Sequence, residues 1–171
     1  MLRQFVPDLF VKSIFDIDLQ ALQARGIKGI VTDLDNTLVE WNAPDATPKL
    51  VQWLDRVREH GFQVCIVSNN DATRVESFAK PLGLPCIADA KKPRRGAFEQ
   101  ALAMIGANQH DTVMIGDQIF TDIAGGNRMG MFTILVAPIS QEEWIGTRFT
   151  RKVEHVVLNL LRKKGLITWQ R

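Results

Sequence analysis

Two aspartates stand two residues apart in the stretch IVTDLDNTLVEW, residues 30–41. Asp33 and Asp35 follow an apolar run that begins with Ile30 and Val31 and has the composition of a buried strand. Two carboxylates at this spacing repel each other, and burying them costs free energy unless a positive charge compensates. A divalent cation supplies such a charge, so the pair indicates a metal site at the end of a strand.

Other polar residues of the kind that handle phosphate come after later apolar runs. Ser68 and Asn69 follow the second run, Lys92 follows the third and Asp117 follows the fourth. Mg²⁺ takes oxygen ligands and shares its coordination shell with phosphate, so we expect the aspartates to hold Mg²⁺. Lys92 and Ser68 would then hold the phosphoryl oxygens, and a carboxylate is able to act as the nucleophile. Phosphoryl transfer depends mainly on positioning and charge neutralisation, so these residue types predict that reaction.

The positions of these residues depend on an alternation of apolar strands with amphipathic helices. We predict strands at residues 28–33, 62–69, 84–89, 111–117 and 131–136, and helices at 48–60, 71–80, 94–105 and 121–130. Apolar strands that alternate with helices are typical of a parallel sheet covered on both faces. The sequence therefore predicts an α/β protein, a Rossmann-like three-layer sandwich around a central, mainly parallel sheet. Its active crevice should lie at the carboxyl ends of the strands, where the polar residues collect.

The composition fits one globular domain. A chain of 171 residues with 46% apolar and 23% charged residues is ordinary for such a domain, so we predict a single domain over residues 1–171 with a catalytic core at about 28–136. The net charge of +2 gives no reason to expect nucleic acid as a partner. We find no signal peptide, no bilayer-spanning apolar run and no metal-ligand spacing of the two cysteines. We expect a cytoplasmic protein with reduced thiols.

The C-terminal segment, residues 144–171, differs in charge from the rest of the chain. It holds seven basic residues and one acid, a net charge of +6, so the remainder carries −4. We predict an amphipathic basic helix at about 147–164. Its apolar face contains Phe149, Val153, Val156, Val157, Leu160 and Leu161. We expect this face to pack on the sheet. A sharper hypothesis adds peripheral contact between the basic rim, Arg162, Lys163 and Lys164, and an anionic membrane.

Four ordered motifs resemble those of the haloacid dehalogenase-like (HAD) phosphatase superfamily. They are DLDNT at 33–37, Ser68 within IVSNN, Lys92 within AKKP and GDQIFTD at 116–122. Each is weak alone, but their order, each after an apolar strand, makes the resemblance specific. The segments in which other members insert a cap domain, 38–61 and 70–90, are too short here to hold one. The chain is therefore similar to the capless subfamily, IIIA, and its overall arrangement is similar to the YqeG family of bacterial phosphatases.

The resemblance implies roles for the first and fourth motifs. Asp33 would be the nucleophile that forms an aspartyl-phosphate intermediate. Asp35 would protonate the leaving oxygen and then activate water, and its main-chain carbonyl would bind Mg²⁺. Thr37 would support the Asp33 loop, Asp117 would bind Mg²⁺ and Asp122 would support that shell. Superfamily members with aspartate at the position of Asp35 are usually phosphatases.

The second and third motifs would bind the phosphoryl group, again as the resemblance implies. Ser68 and Asn69 would donate hydrogen bonds to it, and Lys92 would neutralise charge between the nucleophile and the phosphate. Lys92 directly precedes Pro93, as the lysine of the family often does. Its neighbour Lys91 stays open as the alternative motif lysine.

Other protein classes also carry clustered aspartates. A calcium-binding EF-hand loop that starts at Asp33 would need glycine at its sixth position and glutamate at its twelfth, where this chain has Leu38 and Pro44. A response-regulator receiver has its acid pair and its phosphorylated aspartate on different strands. The alternative function that stays open is a catalytically weak regulatory module, which keeps the HAD-like fold and acts through a partner protein.

The expected function is Mg²⁺-dependent hydrolysis of a small-molecule or lipid phosphate monoester. The upstream stretch VPDLFVKSIFDIDLQALQARGIKGIVTDLDNTL resembles the YqeG family and its relatives that dephosphorylate phosphatidylglycerophosphate. That lipid is therefore the leading substrate candidate, beside other phosphorylated metabolites. An uncapped site admits large or surface-bound esters, and a partner or an oligomer could supply a lid. The sequence does not indicate an oligomeric state.

Overall fold

A computed structural model of the chain describes residues 2–140 and 145–168, and for residues 145–152 it describes only the backbone of a helix. Six strands form one sheet: β1 (Leu9–Val11), β2 (Gly29–Thr32), β3 (Gln63–Val67), β4 (Cys86–Ile87), β5 (Thr112–Gly116) and β6 (Phe132–Val136). They are hydrogen-bonded in the order β1-β6-β5-β2-β3-β4, and every pair is parallel. The predicted α/β fold with a parallel sheet is confirmed.

Helices connect the strands and cover both faces of the sheet. They are α1 (Leu19–Ala24), α2 (Pro48–Glu59), α3 (Ala72–Ala79), α4 (Arg95–Ile105), α5 (Ala124–Met129) and α6 (Ile145–Lys163), with a π-helical turn at Ile119–Ile123. Local sequence sets the helix ends. The side chains of Thr47 and Asp71 accept hydrogen bonds from the N–H groups of Leu50 and Arg74, at the starts of α2 and α3. Gly106 ends α4 in the left-handed conformation that glycine adopts without strain.

The sequence prediction missed β1 and α1. β1 has three residues and lies at the edge of the sheet beside β6, and so short a strand shows too few alternating positions to be recognised. The segment is fixed by Asp8, whose carboxylate accepts hydrogen bonds from the N–H and the hydroxyl of Thr133 in β6 at 2.8 and 3.1 Å. β4 is also shorter than predicted, because only two of its residues pair with β3.

Alternate residues of β2 and β5 pack into separate cores on the two faces of the sheet. The core shared with α1, α2 and α3 includes Ile30 and Ile115. The core shared with α4 and α5 includes Val31 and Met114. All four side chains are fully buried. Burial on both faces of the sheet is the reason that the strands read as uninterrupted apolar runs.

The direction in which strands are added reverses at β2. From β2 the chain moves outward to β3 and β4, and it then returns to β5 on the other side of β2 and continues to β6. Ligands of open parallel sheets bind in the crevice at such a switch point, outside the carboxyl ends of the strands. Asp33 directly follows β2 and Asp117 directly follows β5, so the two aspartates flank this crevice.

The two segments in which a cap domain could be inserted hold only elements of the main fold. Residues 38–61 contain a loop and α2, and residues 70–90 contain α3, a short 3₁₀ turn and β4. Within residues 2–140 no separate cap domain is present, as predicted. The carboxyl edge of the sheet is therefore not covered by a second domain.

α6 packs on the domain through a face that only partly matches the predicted one, because Val157 and Leu161 of the predicted face lie in the contact and three others do not. Leu158, Leu161 and Glu154 are buried, and Val157 is partly buried. The rest of the predicted apolar face, Val153, Val156 and Leu160, is exposed. The side chain of Phe149 lies outside the described residues. The apolar periodicity was misleading because a hydrogen bond to the backbone lets Glu154, an acid, take a buried position. No helix in the described part of the chain is long and apolar enough to cross a bilayer.

Candidate active site

A cavity of about 420 Å³ lies at the switch point between β2 and β5. The predicted site residues that line it are Asp33, Asp35, Ser68, Asn69 and Lys92. Thr37, Asp117 and Asp122, the remaining predicted residues, are buried beside this lining. The strand ends thus bring every predicted site residue to one place.

Lys92 connects two of the aspartates. Its Nζ donates to Oδ1 of Asp33 at 2.8 Å and to Oδ1 of Asp122 at 2.7 Å, and the side chain is almost fully buried. Asn69 holds the backbone of this lysine, because its side-chain oxygen accepts from the Lys92 N–H at 2.7 Å and its amide donates to the Lys92 carbonyl at 3.4 Å. Lys91 is exposed. Of the two candidate lysines, Lys92 is therefore the one that contacts the acids.

Asp33, Asp117 and Asp122 form a buried acid cluster. Each offers a carboxylate oxygen, and these three atoms lie within 4.8 Å of one another. Desolvation raises the pKa of Asp33 to about 8; Lys92 opposes this rise, and Asp122 and Asp117 add to it. Burial alone would lower the pKa of Lys92, but the carboxylates of Asp122 and Asp33 raise it above its ordinary value. The lysine is therefore ionised at neutral pH.

The acid cluster has the donor set that suits Mg²⁺. Its donors are carboxylate oxygens, and three acids exceed the charge of one lysine, so a bound dication would relieve the repulsion that contributes to the raised pKa of Asp33. Thr37 orients Asp117 by donating its hydroxyl to Oδ1 at 3.0 Å. Asp122 is engaged through both oxygens, by Lys92 and by the N–H of Gln118 at 3.0 Å. Asp122 therefore suits a supporting position better than that of a ligand.

Gly116 makes the close approach of Asp122 possible. A Cβ at this position would overlap the carboxyl group of Asp122, which lies against the glycine backbone. Any side chain here would move Asp122 away from Lys92. Close packing therefore requires glycine at position 116, independently of the backbone angles there.

Asp35 also lines the cavity, but its carboxylate contacts hydrogen-bond donors rather than other acids. Its Oδ1 accepts hydrogen bonds from Nη2 of Arg74 at 2.9 Å and from the N–H of Asn42 at 3.1 Å, and its Oδ2 accepts from Nδ2 of Asn70 at 2.9 Å. The guanidinium of Arg74 also lies over the ring of Phe78, 5.4 Å from its centroid. These donors fix the direction of the Asp35 carboxylate.

A tight turn after Asp35 brings an aromatic side chain to the cavity. Asn36 has a φ of 63°, a left-handed conformation that asparagine tolerates better than most residues. Its side-chain oxygen accepts hydrogen bonds from the N–H groups of Trp41 and Ser140. Trp41 lines the cavity and keeps 38% of its surface exposed.

Sequence reasoning did not identify Arg74, Trp41 or Asn70 as site residues. A cation in the first turn of the helix that follows Ser68 is the signal that could have indicated Arg74. Trp41 has no comparable signal, because its position depends on the turn at Asn36 rather than on a periodic pattern.

Comparison with known proteins assigns the family. A family profile described as HAD-hydrolase-like matches residues 90–161. The chain is 50% identical over 171 residues to the probable phosphatase YqeG of Bacillus subtilis (strain 168), and 99% of each chain is covered. It is 31% identical over 175 residues to phosphatidylglycerophosphate phosphatase 1, chloroplastic/mitochondrial, of Arabidopsis thaliana, which covers 96% of this chain and 50% of the plant protein. The match thus spans about half of that longer relative.

Solved structures share the fold at low sequence identity. A hydrolase of HAD superfamily subfamily III A from Legionella pneumophila is 19% identical, with a TM-score of 0.54 over 70% of this chain and 71% of that chain. The cobalt-bound form of the deoxy-D-mannose-octulosonate 8-phosphate phosphatase from Haemophilus influenzae is 18% identical, with a TM-score of 0.53 over 67% and 72% of the two chains. The fold and the full-length match to the Bacillus protein agree, and the chain belongs to the YqeG family of HAD-like phosphatases.

Proposed function

We propose that this phosphatase hydrolyses phosphate monoesters in a Mg²⁺-dependent reaction through an aspartyl-phosphate on Asp33. The observation that supports this best is the buried contact of Lys92 with Asp33 and Asp122 beside a cavity that Ser68 also lines. A carboxylate nucleophile and the phosphoryl oxygens are all negative. Attack therefore requires a cation close to both, and Lys92, which contacts Asp33 and lines the cavity, supports this assignment.

Mg²⁺ would be held by the acids at the switch point. We expect the side chains of Asp33 and Asp117 and the main-chain carbonyl of Asp35 to bind the ion, with Asp122 in support. When bound, the ion would neutralise phosphoryl charge that Lys92 alone does not balance.

In the first step a carboxylate oxygen of Asp33 attacks phosphorus, and the bond from phosphorus to the leaving oxygen breaks. Lys92 and Ser68 hold the phosphoryl oxygens. The Oγ of Ser68 accepts a hydrogen bond from the N–H of Asn70 at 3.1 Å, so its own hydrogen is the one to donate to phosphate. Asp35 gives a proton to the leaving oxygen, and the alcohol leaves as a neutral molecule.

In the second step Asp35 accepts a proton from a water molecule, whose oxygen attacks the phosphorus of the aspartyl-phosphate. The bond from phosphorus to the Asp33 oxygen breaks, inorganic phosphate leaves and the Asp33 carboxylate is restored. The hydrogen bonds from Arg74 and Asn70 keep the ionised Asp35 directed while it acts as the base.

The substrate that we propose is phosphatidylglycerophosphate or another phosphorylated metabolite. The Arabidopsis relative, 31% identical to this chain, is named for that lipid. The lack of a cap domain within residues 2–140 leaves room for a large ester at the cavity. Trp41 offers this ester an apolar surface at the cavity wall.

Hydrolysis assays on the purified protein test this function. We expect phosphate release from p-nitrophenyl phosphate and from phosphatidylglycerophosphate with Mg²⁺, loss of activity in EDTA, and recovery when Mg²⁺ is added back. An Asp33→Asn protein purified in parallel controls for a contaminating phosphatase. Absence of Mg²⁺-dependent hydrolysis of either ester would instead favour the regulatory module that acts through a partner protein.

A further inference from the structure

The side of α6 that faces away from the domain carries aliphatic side chains. Val153, Val156 and Leu160 are 38%, 59% and 44% exposed. They are spaced by three and four residues, so they form one ridge along the helix, here named the outer stripe. Aliphatic side chains at this spacing normally face a core, and an exposed set of them indicates an interaction surface.

The opposite face already holds α6 on the domain. Leu158 and Leu161 are buried there with Ile119 and Ile123 of the π-helical turn. Glu154 is 1% exposed, and its Oε1 accepts a hydrogen bond from the N–H of Ile119 at 2.7 Å. The face that holds α6 on the domain is therefore the one with Leu158 and Leu161, and the outer stripe does not take part in this packing.

The charge around the outer stripe indicates an anionic partner. Lys163 and Lys164 are exposed and follow Leu160 by three and four residues, which places them at the end of the same ridge. The segment 144–171 carries +6 in a chain whose remainder carries −4. An aliphatic ridge with lysines beside it is typical of a helix that lies in the plane of a membrane interface, where lysine stems extend toward the headgroups.

The position of α6 connects this surface with the cavity. Ile119, which hydrogen-bonds Glu154, comes two residues after Asp117, and Thr121 in the same π-helical turn lines the cavity. α6 therefore packs against the same turn that contributes to the cavity wall.

We propose that the outer stripe and its lysines dock this protein on a bilayer surface rich in anionic lipid. A second copy of the chain fits less well, because residues 144–171 hold seven basic residues and one acid, Glu154, which is buried, so a two-fold contact of this segment with itself would bring like charges together. An anionic bilayer matches both parts of this surface. The aliphatic side chains would be buried at the boundary of the acyl chains, and the lysines would be attracted to the anionic headgroups. This inference does not depend on which ester the site hydrolyses.

Sedimentation with lipid vesicles tests the proposal. The full-length protein should bind vesicles of phosphatidylglycerol and phosphatidylcholine at low salt, and at high salt its affinity should fall at least ~10-fold, because salt screens the headgroup charge. It should not bind vesicles of phosphatidylcholine alone. The double variants Val156→Gln/Leu160→Gln and Lys163→Gln/Lys164→Gln should each weaken binding about 10-fold or more.

Matched variants elsewhere on the surface control for general effects. Val51→Gln/Met104→Gln changes two exposed apolar residues of α2 and α4, and Lys12→Gln/Lys80→Gln removes two exposed lysines. Both should bind vesicles as the unaltered protein does. All four double variants should hydrolyse p-nitrophenyl phosphate at the unaltered rate, which shows that they fold.

Three results would overturn the proposal. One is equal binding to neutral and anionic vesicles, or no binding to either. Another is an equal loss of binding in the control variants. The third is a dimer in sedimentation velocity that Val156→Gln/Leu160→Gln dissociates, since a second copy would then cover the outer stripe.

Discussion

Asp33 and Asp35 are two residues apart in the chain, yet their surroundings differ. Asp33 lies among other acids, and it shares the ammonium group of Lys92 with Asp122. Asp35 has an arginine of its own, Arg74, and accepts two further hydrogen bonds from amide groups. The protein thus gives Asp35 three hydrogen-bond donors, whereas Asp33 shares one ammonium group with a second acid and has a third acid nearby.

In the mechanism proposed above, this difference would let one short motif supply two chemical roles. Donors on both oxygens keep the direction of the Asp35 carboxylate, which suits its proposed role as the base of the second step. A carboxylate whose pKa is raised to about 8 by burial needs additional positive charge to act as an ionised nucleophile. On this account Asp33 depends on Mg²⁺ more strongly than Asp35 does.

The largest expected effect follows from Asp33→Asn. Turnover should fall by at least ~10³-fold with Mg²⁺ present, because the amide cannot form the acyl phosphate. Asp55→Asn, at an exposed position on α2, should leave turnover unchanged. Steady-state hydrolysis of p-nitrophenyl phosphate measures both variants. An Asp33→Asn enzyme that keeps more than a tenth of the activity would remove Asp33 from the role of nucleophile.

The next largest effect concerns the cation of the acid cluster. Lys92→Met should lower turnover by roughly 10²-fold or more and destabilise the fold by ~3–5 kcal/mol, because it leaves the buried carboxylates of Asp33 and Asp122 without their ammonium partner. The neighbouring Lys91→Met, at an exposed lysine, is the matched control and should change neither quantity. Turnover and urea unfolding measure the two effects. Equal behaviour of the two variants would contradict the assignment of Lys92.

A smaller effect is expected on the Asp35 side of the comparison. Arg74→Gln should lower kcat about 10-fold and leave KM for p-nitrophenyl phosphate nearly unchanged, because Arg74 directs Asp35 and Asn70 still holds its second oxygen. Arg95→Gln, which breaks an exposed ion pair with Glu99 on α4, is the control. If Arg74→Gln raised KM and spared kcat, Arg74 would bind substrate instead of positioning Asp35.

The smallest effect is a pH dependence of stability in the metal-free protein. The folded-state pKa of Asp33, about 8, lies above its ordinary value of 3.8, so between these pH values the folded protein keeps a proton that the unfolded chain releases. The free energy of unfolding should therefore fall as pH rises through this window. Asp33→Asn should remove most of this fall and raise the melting temperature in EDTA at pH 8 by roughly 3 °C.

The same experiment separates the two aspartates. Asp35→Asn should keep the pH dependence of the unaltered protein, because the fall in stability is assigned to Asp33. Thermal unfolding in EDTA at pH 5 and pH 8 measures all three proteins. Indistinguishable pH dependence in the unaltered protein and in Asp33→Asn would show that Asp33 is not the buried group responsible.

The strand ends could be predicted because buried parallel strands appear in the sequence as uninterrupted apolar runs. Apolar runs that stop at Asp33, Ser68 and Asp117 place these residues at one edge of the sheet, and a parallel sheet then brings them together. The chemical roles of these residues stay predictions. β1 was not predicted, because an edge strand of three residues does not form a long apolar run.

Contacts between side chains that are distant in sequence could not be predicted in the same way. Arg74 and Asp35 are 39 positions apart, and Glu154 and Ile119 are 35 positions apart. Neither pair belongs to a periodic pattern, and each depends on how two loops or helices meet in space. The face of α6 was predicted only in part for this reason, because the buried Glu154 interrupts the apolar period.

The most direct test of the account is to trap the intermediate in Asp35→Asn with p-nitrophenyl phosphate and Mg²⁺. Its good leaving group needs little protonation, whereas hydrolysis of the aspartyl-phosphate needs the base that this variant lacks, so phosphoenzyme should accumulate. Rapid quenching, borohydride reduction of the acyl phosphate and peptide mass spectrometry should locate the modification at Asp33. A modification at another residue, or unchanged turnover without any phosphoenzyme, would contradict the account.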